Sequence, residues 1–586
     1  MTRGRECIGS RRRALSRIVP VMLSRGLLRA CLCLLTLAPG WCLASEALIL
    51  VNASIYTGAS SQPRAEAVLA IDGRIAYVGT SAEALKRAPP GVRKLNLGGL
   101  TVLPGLTDSH AHLAGIGWRE LYFDLTGVES LAALQRRLRE RAASDKSAWI
   151  VGRGWIESRW TPAAFPARQD LDEIVTDRPV ILERIDGHAI VVNSLALKIA
   201  GVTRDTPNPP GGEILKDPVT GEPNGMLIDN ARPLVEDLVP PPTDAQTRLA
   251  LETGANRSLR VGWTQLQYAG TTDTEIRLLC ELYAERKITL RIYAAIEGPG
   301  PDAERFLARG RSEESCDDRL VVRGIKLYMD GALGSRGAAL LAPYSDSPQS
   351  TGLLRNNPDV ILGIATEALK KGIQVETHAI GDRGNRLVLD AYEKAFAGVP
   401  PSQRPVAEPR FRIEHAQVLA PADIPRFAKL GVIASMQTSH AISDMYFAPK
   451  RLGPDRVKGA YAWRSLLDAG AIITGGSDAP VEQGDPIIEF YAAVTRRSLD
   501  GYAGPDWGLE QRFTRDEALR LLTYWPAYAG FQEQERGTIE VGKLADFTVL
   551  SADIMQVPDA QILKAQVVYT IIGGEVAYQK AAAPAQ

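Results

Sequence analysis

Short apolar runs alternate with polar stretches from residue 47 onward, and the spacing of the runs changes along the chain. Residues 47–52 and 67–72 are apolar runs too short for helices, and Asp72-Gly73 is a hairpin turn pair ahead of a third run at 74–79. The carboxyl end has the same texture. Runs at 537–542, 545–550 and 567–572 read as strands, and Gly573-Gly574 turns into 575–578. Strand-rich ends around a long middle predict one small β domain assembled from both termini, since chain ends commonly lie close together.

In the middle, strand-like runs at 321–328, 374–378, 410–415, 432–436 and 471–474 are separated by helical stretches such as 359–371 and 385–396. Strand–helix alternation repeated over several hundred residues predicts an α/β fold with a parallel sheet, and the length fits a (β/α)8 TIM-like barrel. From about 155 to 242 the alternation breaks. Pro207-Asn208-Pro209-Pro210-Gly211-Gly212 and Pro240-Pro241-Pro242 mark an inserted lobe over one barrel face. The predicted division is a leader over 1–44, a β domain from 45–103 and 535–586, and a barrel over 104–534 that carries the insertion.

The leader is basic and then apolar. Arg25 and Arg29 precede the apolar run 30–37, and Cys42-Leu43-Ala44 ends on a small residue, the order of an export signal. The run is too short to span a bilayer comfortably. General secretion is favoured, with a periplasmic or secreted destination. Ser10-Arg11-Arg12-Arg13-Ala14-Leu15 loosely resembles a twin-arginine signal, and Met22 would serve as an alternative start.

Composition narrows the class. Of 586 residues, 68 are Lys or Arg and 68 are Asp or Glu, so the formal net charge is zero. With 45% apolar residues this is a globular chain, not a disordered one. There is no basic excess to hold phosphates, which argues against a nucleic-acid partner or a lipid-surface anchor. A small-molecule substrate is the expected partner, and β domains of this kind are compatible with a homodimer. Of six cysteines, Cys7, Cys31, Cys33 and Cys42 fall in the leader, leaving Cys280 and Cys316. Without a CxxC pair the spacing predicts neither a zinc ribbon nor a disulfide framework.

Six histidines remain to be weighed singly: His110, His112, His188, His378, His415 and His440. Asp108-Ser109-His110-Ala111-His112 follows an apolar run. In an extended strand, residues i and i+2 share a side, so both imidazoles can face one metal. His378, His415 and Asp478 also sit at the downstream ends of strand-like runs, and in a parallel barrel those ends converge on one face. Lys326 lies in an otherwise apolar run, where an unpartnered ammonium is costly and must be paired, neutral or modified.

The ordered motifs Gly105-Leu-Thr-Asp-Ser-His-Ala-His112, Gly324-Ile-Lys-Leu-Tyr-Met-Asp-Gly-Ala-Leu-Gly-Ser-Arg336, Glu376-Thr-His-Ala-Ile-Gly-Asp382, Arg412-Ile-Glu-His-Ala-Gln417 and Gly476-Ser-Asp-Ala-Pro480 resemble the amidohydrolase superfamily. Within it, the chain resembles the YtcJ-like, amidohydrolase 3 branch from about residue 47 to 580. It departs from that branch at Gly262-Trp-Thr-Gln-Leu-Gln267, where relatives often carry a histidine before Asp-Ala-Gly.

The resemblance implies a metal-dependent hydrolase acting on non-peptide, amide-type C–N bonds. By that resemblance, His110 and His112 bind one metal, His378 and His415 a second, and a carboxylated Lys326 bridges them. Asp478 binds metal and acts as general base toward a metal-activated hydroxide. Such ligands suit one or two divalent ions, zinc among them. His440 and His188 are candidate substrate contacts, against ordinary packing. Trp155 is a candidate within the inserted lobe. Arg336 is a candidate for a substrate carboxylate or phosphate, against a loop-stabilising role. The alternative readings are a deaminase or isomerase on the same barrel, with a proton path through His440, or a catalytically silent binding or regulatory protein.

Overall fold

A computed structural model describes residues 47–581 apart from 158–159, 185–188, 210–211 and 312–315. The leader expected over 1–44 lies outside the described residues.

Eight parallel strands form the central sheet: β1 Leu106–Ala111, β2 Trp263–Thr271, β3 Arg291–Glu297, β4 Leu320–Tyr328, β5 Gln374–Ala379, β6 Arg412–His415, β7 Ile433–Gln437 and β8 Ile473–Gly476. They neighbour one another in chain order. Most are buried along nearly their whole length, which is why they read as near-continuous apolar runs. Helices cover the outside and start where the sequence caps them. Thr243 and Thr272 close capping boxes at the starts of Asp244–Arg260 and Asp273–Ala284. The helical stretches expected at 359–371 and 385–396 are Pro358–Lys371 and Asp382–Gly398.

The last strand returns to the first. Asp478 N–H donates to His110 O at 2.7 Å, and His112 N–H donates to Ala479 O at 2.8 Å. Below them the buried Asp108 carboxylate accepts Ser477 N–H at 2.8 Å and the Ser477 hydroxyl. The result is a nearly closed (β/α)8 barrel. Gly476 permits the approach: a Cβ there would lie 2.4 Å from His110 N and 2.9 Å from Asp108 Oδ1.

Strands from both ends of the chain share a six-stranded sheet. Its order is Glu575–Gln579, Val567–Ile572, Phe547–Leu550, Thr101–Pro104, Ser54–Tyr56 and Arg64–Ala65. The run at 537–542, expected as a strand, is an irregular connection instead. Gly537 and Gly542 take φ of +91° and +93°, and Ile539 and Gly542 donate their N–H groups to Thr57 O and Ile75 O. The buried Asp546 ties this sheet to the barrel, accepting Arg291 Nε at 2.8 Å from β3 and Gly573 N–H at 2.9 Å.

The insertion between β1 and β2 carries its own six-stranded sheet. That sheet begins at Phe123–Asp124 and Ile150–Trp155, earlier than the Pro-Gly-rich stretch expected to open the lobe near 155. Between those strands lies the helix Leu131–Ser144. Residues 123–155 therefore alternate strand and helix as the barrel does, and only the pairing of their strands assigns them to the lobe. A disulfide joins Cys280 to Cys316, correcting the expectation that spacing alone argued against one. A single pair 36 residues apart carries no local motif. No described helix is long and apolar enough to cross a membrane.

Replacing Gly476 with Ala drives a methyl group into the backbone where β8 meets β1. We expect a loss of about 3 kcal/mol or more, read as a lower denaturation midpoint. An unchanged midpoint would contradict this account of barrel closure.

Candidate metal centre

The site is built on the barrel lumen, where alternate residues of each strand face inward and are polar. Arg412 of β6 is fully buried and spans this lumen. Its guanidinium donates to both oxygens of Glu414, two residues on, at 2.7 and 3.1 Å. It also donates to Gln267 of β2, to Ser435 Oγ of β7 and to Ser109 O of β1. Burial opposes the ionisation of Glu414, but Arg412 and His110 outweigh it and hold the carboxyl well below its usual range. Glu376, 3.5 Å from Arg412 but without its bidentate contact, is pushed up to about 7 by burial.

Glu414 in turn fixes His110. The imidazole Nδ1–H donates to Glu414 Oε2, since an ionised carboxylate can only accept. His110 Nε2 is thereby left as a lone-pair donor toward the mouth. His415 is set the same way: Nδ1–H donates to Gln437 Oε1 at 2.7 Å, leaving its Nε2 free to act as a ligand. Burial lowers His110 to about 4 and His378 to about 3, and drops His415 well below its ordinary value. All three are neutral at pH 7, the form that binds metals.

Asp478 stands where these groups meet. Its Oδ1 lies 3.2 Å from His112 Nε2 and 3.5 Å from His110 Nε2, and its Oδ2 lies 3.5 Å from His440 Nε2. Burial disfavours its charge, but the surrounding imidazoles, His112 foremost, keep it ionised. Two groups have ligand atoms all within 4.8 Å of one another: His110, His112 and Asp478, and His415, His440 and Asp478. The backbone reaches this arrangement under strain, with φ of +57° at Asp478 and +74° at His415.

The structure brings together the sequence-derived candidates in a different grouping from the one the resemblance implied. His440, expected at the substrate, shares ligand distance with His415 and Asp478. His378 belongs to neither group, although its ring centroid is 4.5 Å from that of His415. Its Nε2 faces the buried Asp330, 3.5 Å away, and Asp330 also accepts the N–H groups of Ala339, Ile380 and Gly381. Lys326 is buried with Nζ 3.4 Å from His110 Nε2, and burial lowers its pKa.

The donor set fits a divalent cation. Imidazole nitrogens and one ionised carboxylate converge, and the Nε2 atoms of His378 and His440 are buried with no hydrogen-bond partner among the described residues. Solvent reaches the centre beside His112, whose side chain is 31% exposed against 1% for His110.

Other candidates lie elsewhere. Trp155 is fully buried in the core of the inserted lobe, its indole N–H donating to Leu182 O at 2.8 Å, so it packs the lobe and lines no opening. Arg336 forms a two-pronged ion pair with Asp346 at 3.1 and 3.0 Å, the loop-bracing arrangement. His188 lies outside the described residues. At the departure from the branch pattern, Gln267 fills the lumen beside Arg412 and donates to Pro526 O. Arg412, Glu414 and Asp330 escaped attention in the sequence. The signal available was the i, i+2 pair of opposite charges inside an otherwise apolar strand.

A model of the amidohydrolase family matches residues 94–578. The chain is 35% identical over 534 residues to the putative amidohydrolase YtcJ of Bacillus subtilis, covering 90% of this chain and 98% of that protein. It is 28% identical over 550 residues to an N-substituted formamide deformylase of Arthrobacter pascens, covering 91% and 98%. An uncharacterized metal-dependent hydrolase from Pyrococcus furiosus superposes with a TM-score of 0.71 at 28% identity, over 87% of this chain and all of the other. With a catalytic-scale barrel, converging metal donors and these relatives, the chain belongs to the amidohydrolase family, within a superfamily of metal-dependent hydrolases.

Proposed function

We propose that this protein hydrolyses non-peptide amide-type C–N bonds, N-formyl and N-acyl amines being the substrates to try first. The observation that carries the reading is Asp478, whose two oxygens reach separate imidazole groups beside the partly exposed His112. The deformylase relative supports the choice of bond, since its name describes action on N-substituted formamides. His110, His112 and Asp478 would hold one divalent ion and His415, His440 and Asp478 a second, with His378 beside them. Such an ion supplies Lewis acidity toward a carbonyl oxygen and makes water a stronger acid.

The chain's own residues do the rest. Asp478 accepts a proton from the attacking water and returns it to the departing nitrogen, converting a poor amide leaving group into an amine. Its strained backbone is held by the hydrogen bond from its N–H to His110 O, so the carboxylate does not drift from the imidazoles. Glu414 and Gln437 keep the Nε2 atoms of His110 and His415 aimed at the centre. His440 beside Asp478 also supports a second reading, deamination, which ammonia release from amine substrates distinguishes from amide cleavage.

Lys326 is the candidate for carboxylation. Burial lowers its pKa and so favours the neutral amine, the form that adds CO2 to give a carbamate and one released proton. The product is an anionic oxygen donor in place of a buried ammonium. We further propose export. The basic-then-apolar leader and the Cys280–Cys316 bridge support it, because disulfides persist in oxidising compartments.

Four outcomes are expected. Asp478→Asn folds with little change in midpoint and loses roughly 1,000-fold or more in kcat on any formamide the native protein cleaves. Chelator treatment abolishes the native activity, and added zinc restores it. Full activity in either case removes the general-base or the metal assignment. Protein supplied with 13C-bicarbonate shows a carbamate carbon resonance that Lys326→Ala lacks, and its absence from the native protein refutes carboxylation. Amino-terminal sequencing of protein recovered from the periplasm or medium starts near residue 45. Intact leader on soluble cytosolic protein argues against export.

A further inference from the structure

Beyond the metal centre, recognition falls to the loops at the barrel mouth, and one of them delivers a cation. Tyr328 ends β4, its ring centroid 5.8 Å from that of His378. Its hydroxyl donates to Glu297 Oε2 at the end of β3, 3.0 Å away, which fixes the ring's attitude. The chain leaves β4 through a long excursion and returns to the same spot. There Arg355 N–H donates to Met329 O at 2.9 Å, and Asn356 Nδ2 donates to Tyr328 O at 2.7 Å. A bridge between Asp330 and Leu354 pins the same return.

This return lays the Arg355 guanidinium over the Tyr328 ring, 4.5 Å from its centroid. The contact orients the cation through one flat face and leaves its N–H edges unspent. Arg355 is exposed and forms no side-chain hydrogen bond or ion pair among the described residues. Its loop neighbours differ. Arg336 and Arg451 both pair with Asp346, and Arg456 donates to Ala342 O and Pro343 O. Glu297 is the nearby carboxylate, but it accepts the Tyr328 hydroxyl and forms no ion pair with Arg355. One ring-to-ring step and one cation–ring contact thus separate His378 from a held guanidinium with no ion pair among the described residues, a span that one small molecule can bridge.

We propose that Arg355 is a specificity-determining residue which binds a carboxylate carried by the substrate, so that the preferred amides are acidic ones. The proposal rests on the amide-hydrolase reading for the bond that is cleaved, but not for the binding itself. A planar carboxylate can accept two parallel N–H bonds from a guanidinium edge, which neither a neutral group nor a point cation matches.

The test uses sulfonamides, which are not cleaved, so that binding is read without turnover. The metal-replete full chain is titrated with 4-(methanesulfonylamino)butanoate and with N-propylmethanesulfonamide, the same molecule without its carboxylate. Homologues one carbon shorter and longer cover the span. The native protein is expected to favour the carboxylate about tenfold for at least one chain length, and Arg355→Gln to bring that ratio to about one. Arg355→Glu should invert it. Equal affinity for both probes at every length, no binding of either, or a preference that survives Arg355→Gln overturns the proposal. The matching formamides are assayed in parallel. Selective binding with no hydrolysis counts against the amide-hydrolase reading alone.

Discussion

Charge placed where water does not reach governs the whole mouth of this barrel. A lone guanidinium in the lumen would cost several kcal/mol, and removing one partner of such a buried pair typically costs about 3–5 kcal/mol. Arg412 is tolerable because five acceptors from four strands close around it. The same network makes Glu414 an anion, and that anion selects the tautomer of His110. The ligand atoms at the rim are therefore set one layer down, by the fully buried Arg412 and Glu414.

The backbone at the rim is held against its own preference. Positive φ at Asp478, His415 and Ala416 costs on the order of 1–3 kcal/mol per residue. The surrounding packing offsets this: all three residues are buried, and neighbouring strands bind the backbone on either side. Relaxing Asp478 or His415 would swing its side chain out of the cluster. Preorganisation of this sort suits a site that must present an anion and several neutral imidazoles together.

Much of this was legible in the primary structure. The strand ends bearing His110, His378, His415 and Asp478 read correctly because a buried parallel strand is an apolar run, and a polar residue at its end is conspicuous. The parallel α/β fold followed from alternation, and the length fitted a barrel. Arg412 and Glu414 were hidden because charges in a strand read as solvent-facing until a partner across the lumen is known. The start of the lobe was hidden because 123–155 obeys the same alternation as the barrel, and pairing is a long-range property. Trp155 and Arg336 were candidates with bland alternatives, and the local contacts are those of the alternatives: an indole N–H donating to Leu182 O, and a guanidinium paired with Asp346. The Cys280–Cys316 bridge was hidden for the same reason as the lobe, since nothing near either cysteine announces the other.

The hydrogen bonds that seal β8 against β1 run through the candidate metal centre, joining His110 and His112 to Asp478 and its neighbour Ala479. During translation the first of these emerge early and the last only near the end of synthesis. A growing polypeptide on the ribosome therefore has no assembled centre until β8, the last barrel strand, and the residues just after it are made. Assembly of the centre and closure of the barrel are one event, so a product terminated before Asp478 lacks the centre by construction.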